Sequence, residues 1–107
     1  MNRISNPVFT IPSGSSASNS HDLHGQLAGL YFPAAMTGTT VTFEASYDGT
    51  NFFGVVKDDG TAYSVTVTTN SYTALTWQYF LGLRYIRVKS GGTEGAARTI
   101  YGGIYQS

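Results

Sequence analysis

Residues 39–56 read TTVTFEASYDGTNFFGVV, and few folds accommodate such a run. Val41, Phe43, Ala45 and Tyr47 alternate with Thr42, Glu44 and Ser46. A period of two sends successive side chains to opposite faces of a strand, so the apolar set shares one face. Asp48-Gly49 follows, a dipeptide that tolerates positive φ in a tight turn, and Phe52-Phe53 opens a return strand. A ribbon with one apolar face needs a second layer to cover it, which points to packed antiparallel sheets.

The rest of the chain repeats the theme. Residues 26–32 (QLAGLYF) form a mainly apolar strand ending at Pro33. After the Asp58-Asp59-Gly60 turn, Tyr63, Val65 and Val67 alternate with Ser64, Thr66 and Thr68. Residues 71–75 give another short strand, residues 77–82 tolerate one helical turn, and residues 84–90 alternate again with Ile86 and Val88 inward. Gly91-Gly92 turns the chain into a last strand over residues 98–106. The expected fold is all-β: a single antiparallel, jelly-roll-like β-sandwich of seven or eight short strands without substantial helix.

Residues 1–20 are expected to stand apart from a sandwich domain spanning 21–107. Residues 8–11 read as a short strand bracketed by Pro7 and Pro12, which suits a sheet edge or a docked arm. Residues 13–20, SGSSASNS, have the composition of a flexible linker or long loop.

Charge excludes several function classes. Six basic and six acidic residues cancel, and charged residues make up only 11% of the 107. Nucleic-acid binding needs a basic stripe that displaces counterions, and none is written here. Arg84, Arg87 and Lys89 cluster, but a short cationic strand face is most simply solvated or edge-protecting. With no cysteine, neither disulfides nor thiol chemistry is available, which leans toward assembly in a reducing cytosol. No signal-like segment opens the chain, and no apolar run approaches the ~18 residues of a membrane span.

Candidate chemistry is sparse. His21-Asp22-Leu23-His24 offers metal-ligand types, but three ligands within four residues do not close a tetrahedral site, so a polar turn is the expectation. Asp48 and Asp59 precede glycines and serve as turn formers, and the calcium-loop spacing is missing. No nucleophile elbow occurs. The expectation is therefore no catalytic residues, no metal and no cofactor.

The aromatic residues carry more. Six Phe, eight Tyr and one Trp make up 14% of the chain. Phe32, Phe43, Phe52 and Trp77 are expected in the core, where each ring buries about 150–250 Å². Tyr85 shares a face with Arg87 and Lys89 and points outward; Tyr101 and Tyr105 share a face of the last strand, with Gly103 between them. Together with Phe9 on the proline-bracketed strand, Tyr85, Arg87, Tyr101 and Tyr105 form the candidate protein-interface set. Outward Tyr suits a protein interface, a sugar-stacking platform or packing along an exposed sheet, and the interface is favoured.

Several stretches also carry a resemblance: L-x-G-L-Y-F-P at 27–33, T-V-T-F-E-A-S-Y-D-G-T-N-F-F at 40–53, Asp58-Asp59-Gly60-Thr61, F-L-G-L-R-Y-I-R-V at 80–88 and A-A-R-T-I at 96–100. Spanning residues 22–101, they resemble the small β-sandwich structural proteins of tailed bacteriophages, of head-decoration (cement) or tail-associated type. Carbohydrate-binding jelly rolls of the discoidin type share the aromatic-flanked R-Y-I-R strand. The YGGIY ending at 101–105 departs from a plainly aliphatic last strand. The resemblance implies a non-enzymatic virion protein that stabilises capsid subunit joints. Its implied partners are the major capsid protein and further copies of itself, in a homo-oligomer such as a trimer, with no nucleic acid or membrane. The alternative it implies is a carbohydrate-binding module for surface glycans, or a tail or baseplate part.

Overall fold

The computed structural model describes residues 3–106. In chain order the strands are β1 (Arg3–Ser5), β2 (Val8–Ile11), β3 (Ala17–Asp22), β4 (Gln26–Tyr31), β5 (Thr40–Ser46), β6 (Phe53–Gly54), β7 (Val65–Thr66), β8 (Tyr72–Ala74), β9 (Tyr85–Ser90) and β10 (Arg98–Gln106). A 3-10 turn, Trp77–Phe80, crosses between β8 and β9.

The pairing is nested. β2 pairs with β10, β3 with β9, β4 with β8 and β5 with β7, all antiparallel. The chain is one long ribbon doubled back on itself and rolled up, which is the jelly-roll arrangement. Pairing of β10 with β4 and of β9 with β5 then closes two five-stranded sheets. Sheet one holds β1, β2, β10, β4 and β8; sheet two holds β3, β9, β5, β6 and β7. The antiparallel sandwich expected from the alternation is the architecture observed.

Alternation places the core between the sheets. Phe9, Ile11, Leu27, Leu30, Ile100 and Ile104 face inward from sheet one, and Val41, Phe43, Ile86 and Val88 face them from sheet two. Phe43 meets Phe80 edge-on with ring centroids 5.1 Å apart and stacks on Tyr63 at 5.6 Å. Such pairs add about 0.5–1.5 kcal/mol beyond their burial.

A buried carboxylate locks one end of the sandwich. Glu94, fully buried between β9 and β10, accepts hydrogen bonds from the Thr37 and Gly38 amides (2.8 Å each), the Ser90 hydroxyl (2.6 Å) and Arg98 Nε (2.9 Å). Its own peptide exchanges bonds with the β2–β3 loop, donating to Ser15 O and accepting from Gly14 N. Burial raises the pKa of a carboxyl, but the Ser90, Thr37, Gly38 and Arg98 donors outweigh it and hold Glu94 down to about 2.

Several expectations are corrected. The segment read as a linker contains β3, whose Ser20, His21 and Asp22 pair with Arg87, Ile86 and Tyr85, so sheet two begins inside residues 1–20. Among the described residues the strand count rises to ten through β1 and β3, and the expected return strand at Phe52-Phe53 shrinks to the two-residue β6. Phe9, taken as an interface residue, is 0% exposed and belongs to the core. Trp77, taken as core, is 46% exposed because the 3-10 turn buries Phe80 instead. Tyr47 lies past the end of β5 and is 72% exposed rather than inward. Phe52 is half-buried beneath the Arg87 guanidinium, 4.2 Å from its ring centroid.

Candidate interaction face

The outer faces of the two sheets differ in kind. On sheet two, Glu44 and Arg87 sit opposite each other in register and form an ion pair of 2.6 Å, with Lys89 beyond. Tyr85 is half-buried there, with Arg84 over its ring at 4.9 Å and Arg84 Nε also 3.5 Å from Asp22. Of the expected interface set, Tyr85 and Arg87 therefore lie on this charged face, committed to neighbours within the chain.

Sheet one presents the opposite surface. Along β10 the inward residues are Ile100, Gly102 and Ile104; a Cβ on Gly102 would press at 3.0 Å on both Leu27 and Phe9. Outward from the same strand stand Thr99, Tyr101, Gly103 and Tyr105. Tyr101 is directly opposite Tyr31 of β4 and Val8 of β2, and Tyr31 is directly opposite Tyr72 of β8. Val8, Tyr101, Tyr31 and Tyr72 thus form one row across four strands. Tyr31 and Tyr72 touch, with ring centroids 4.5 Å apart. Burial, then the neighbouring Tyr31, pushes the Tyr72 phenol above its ordinary pKa.

The next row is small: Gly103 opposite Gly29, and Gly29 opposite Ala74. The Tyr72 ring leans over Gly29, where a Cβ would come within 2.0 Å of the phenol oxygen. Absence of a side chain there is what lets the ring lie down. Ala28 is an extra residue in β4, because Gly103 and Ile104 are adjacent while their partners are Gly29 and Leu27. This bulge turns Ala28 to the floor of a groove of about 570 Å³ walled by Gln26, Trp77, Leu81 and Tyr105. Tyr31, Tyr72, Tyr101 and Tyr105 are each 42–48% exposed. Among the described residues, no charged side chain points outward from β2, β4, β8 or β10. Tyr101 and Tyr105 fall on this face as expected; Tyr31 and Tyr72 join them through strand register, and Trp77 through the 3-10 turn that borders the groove.

A second aromatic feature lies at the far end of sheet two. Tyr47 and Phe53 stack at 6.4 Å beside a hollow of about 420 Å³ that also takes in Tyr79, Leu83 and Arg84. The loop beneath them is built by Asp48, whose carboxylate accepts from the Thr50 and Asn51 amides (2.9 Å each), the Asn51 side chain (2.8 Å) and the Ser46 hydroxyl (2.8 Å). The Asn51 and Thr50 amides and Ser46 hold that carboxyl well below the usual range. Gly49 takes φ +82°, so the turn residues serve a six-residue loop rather than a two-residue hairpin.

The histidines have structural neighbours. His21 Nε2 donates to the Val8 carbonyl at 2.6 Å, and its ring meets Phe9 edge-on at 5.0 Å. Asn19 accepts from the Thr10 amide at 2.7 Å and donates to the Val8 carbonyl at 3.2 Å. His24 lies 3.9 Å from Asp22. Among the described residues no group of three His, Cys, Asp or Glu side chains converges.

No protein-family model matches the sequence, and no curated protein matches it either. The fold does have solved counterparts. The SPBc2 prophage-derived protein YomS superposes over 99% of this chain and 96% of its own, with a TM-score of 0.64 at 16% identity. CBM32-1 from a family 31 glycoside hydrolase of Clostridium perfringens superposes over 91% of this chain and 75% of its own, with a TM-score of 0.55 at 13% identity. At such identities the likeness is one of fold, and the fold shared is the antiparallel β-sandwich.

Proposed function

We propose that this chain is a non-enzymatic structural protein of a tailed-phage particle, of the head-decoration type, that works by contact. The observation that carries the reading is the outer face of sheet one, uncharged, aromatic and about half-exposed at every large side chain. Tyr and Trp dominate binding energy at interfaces because a rigid ring gives area at little entropic cost, and interface centres are depleted of charge. The resemblance over residues 22–101 and the fold likeness to a prophage-derived protein support a place on the virion. The mechanism is adhesion spread over repeated subunit joints of a shell, so that modest contacts add through multivalency.

The test compares particles with and without the protein. Decorated heads should contain this chain at a fixed ratio to the major capsid protein and rupture at a higher temperature than bare ones. Absence from purified particles, or no binding to expanded shells, would overturn the reading.

A second reading, a carbohydrate-binding module, is favoured by the stacked Tyr47 and Phe53 rings with Arg84 beside their hollow. The fold likeness to a carbohydrate-binding module agrees with it. Glycan-array binding that disappears in Tyr47→Ala would establish it, and a uniformly negative array beside tight shell binding would remove it.

A further inference from the structure

We infer that the uncharged face of sheet one is covered by the same face of a second copy. The two copies are related by a two-fold axis lying in the interface, between the tyrosines of this face and the groove beside them. The inference rests on the reading of the chain as a contact protein and names what meets its principal face.

Relief comes first. Across this face, along the strand direction, a band of tyrosines gives way to a groove: the band is Tyr101, Tyr31 and Tyr72, whose ring lies over Gly29 and reaches Gly103, and the groove lies between Tyr105 and Trp77 with Leu81. A two-fold axis lying in the interface between band and groove sets each copy's tyrosines over the other's groove. Both contacts form at once, which is the isologous arrangement that closes as a dimer. The groove, about 570 Å³, accommodates aromatic side chains.

Area comes second. Val8, Tyr31, Tyr72, Trp77, Leu81, Tyr101 and Tyr105 are 39–54% exposed. With ~200 Å² for a large side chain, they offer on the order of 600 Å². Gln26, Ala28, Ala74 and Thr99 add to it, toward the roughly 800 Å² per partner of a standard stable interface.

Charge comes third. A two-fold operation brings a surface against itself, so any charge near the axis meets its own sign. Sheet two's outer face, with Glu44, Arg87 and Lys89, carries that hazard, whereas among the described residues no charged side chain points outward from β2, β4, β8 or β10.

Sedimentation equilibrium of the purified chain should give a dimer at tens of micromolar. The double variant Tyr31→Lys/Tyr101→Lys should sediment as a monomer with the wild-type circular dichroism spectrum. The chain has no cysteine, so a single new thiol reports cleanly. Ala74 is exposed on this face and lies near its own copy across the axis, so Ala74→Cys should oxidise to a disulfide-linked dimer far faster than Lys89→Cys on sheet two. A wild-type monomer at ~100 µM, a trimer, a dimer that survives the double lysine variant, or equal cross-linking at the two thiols would each overturn the inference. A monomeric chain that still decorates heads would sink the inference and leave the proposed function standing. A dimer that never binds particles would do the reverse.

Discussion

Glu94 makes the stability of this sandwich a function of pH, and the size of the effect follows from its surroundings. The carboxyl is wholly buried and accepts from Ser90, two amides and Arg98. These donors hold its pKa down to about 2 from an ordinary 4.5. At 1.36 kcal/mol per unit, that depression is worth about 3 kcal/mol of folding free energy. The folded pKa lies below the unfolded one, so the contribution is fully present above pH 4.5. It is lost as pH falls from 4.5 through about 2. Against the 5–15 kcal/mol that holds a domain together, this is a large share.

The perturbation is Glu94→Gln, which removes the charge and turns an NH₂ toward at least one donor. Arg98 is also left without its anion. Such a change should cost about 2–4 kcal/mol at pH 7, within the range seen when one partner of a buried pair is removed. Urea denaturation followed by far-UV circular dichroism, from pH 7 down to pH 2.5, measures both chains. Asp48 and Asp59 also have lowered pKa values, but both remain in the variant, so the difference curve isolates Glu94. The gap should be widest above pH 5 and close by most of ~3 kcal/mol toward pH 2. A gap that stays constant over that range would refute the argument that the donors stabilise the ionised form.

Three further outcomes separate core from surface. Phe9→Ala should cost about 3–5 kcal/mol in urea denaturation, whereas Tyr101→Ala should cost under ~1, because only Phe9 leaves a cavity. Gly29→Ala would set a methyl 2.0 Å from the Tyr72 hydroxyl, so the ring must swing away. The expected loss is about 1–3 kcal/mol, with Tyr72 returning to an ordinary phenol pKa in a 295 nm absorbance titration. Glu44→Gln and Arg87→Met, singly and together, should give a coupling energy near 1 kcal/mol that shrinks in high salt, since the pair is only partly shielded.

How much of this was legible in the sequence depends on what each residue's position rests on. The alternation in residues 40–46, 85–90 and 98–106 fixes which side chains enter the core, because period two is a local property of a strand. β3 is hidden in the sequence for the same reason in reverse. Its residues are mostly small and polar, and its inward Ser18 is satisfied by a hydrogen bond from the Val88 amide at 2.9 Å rather than by apolar contact. Such a strand shows no hydrophobic period and reads as a linker. The tyrosine row was half visible: Tyr101 and Tyr105 follow from β10 alone, but Tyr31 and Tyr72 join only through strand register. Register across a nested ribbon is set by pairing between distant segments, which no window of sequence contains. Nothing local in GGTEG marks Glu94 as a buried anchor, because the amides that bind it come from residues 37 and 38.

The edges explain why association should take place on a face. A sheet edge offers unpaired peptide groups to any passing strand, and a small sandwich without covalent staples is exposed to that risk. Here the outer side of β2 is closed by the chain itself: the Asn19 amide bonds Thr10 N and Val8 O as a neighbouring strand would, and His21 adds a second bond to Val8 O. The opposite edge of sheet one, β8, is three residues long, too short to template an added strand of useful length. With the β2 and β8 edges discouraged, the outer face of sheet one is left to make the contact. Asn19→Ala tests this division. It should open the β2 edge and promote slow, thioflavin-positive aggregation, while the reversible association measured by sedimentation stays at its wild-type strength. Weakened dimerisation without aggregation would place the contact at the edge and contradict the assignment to the face.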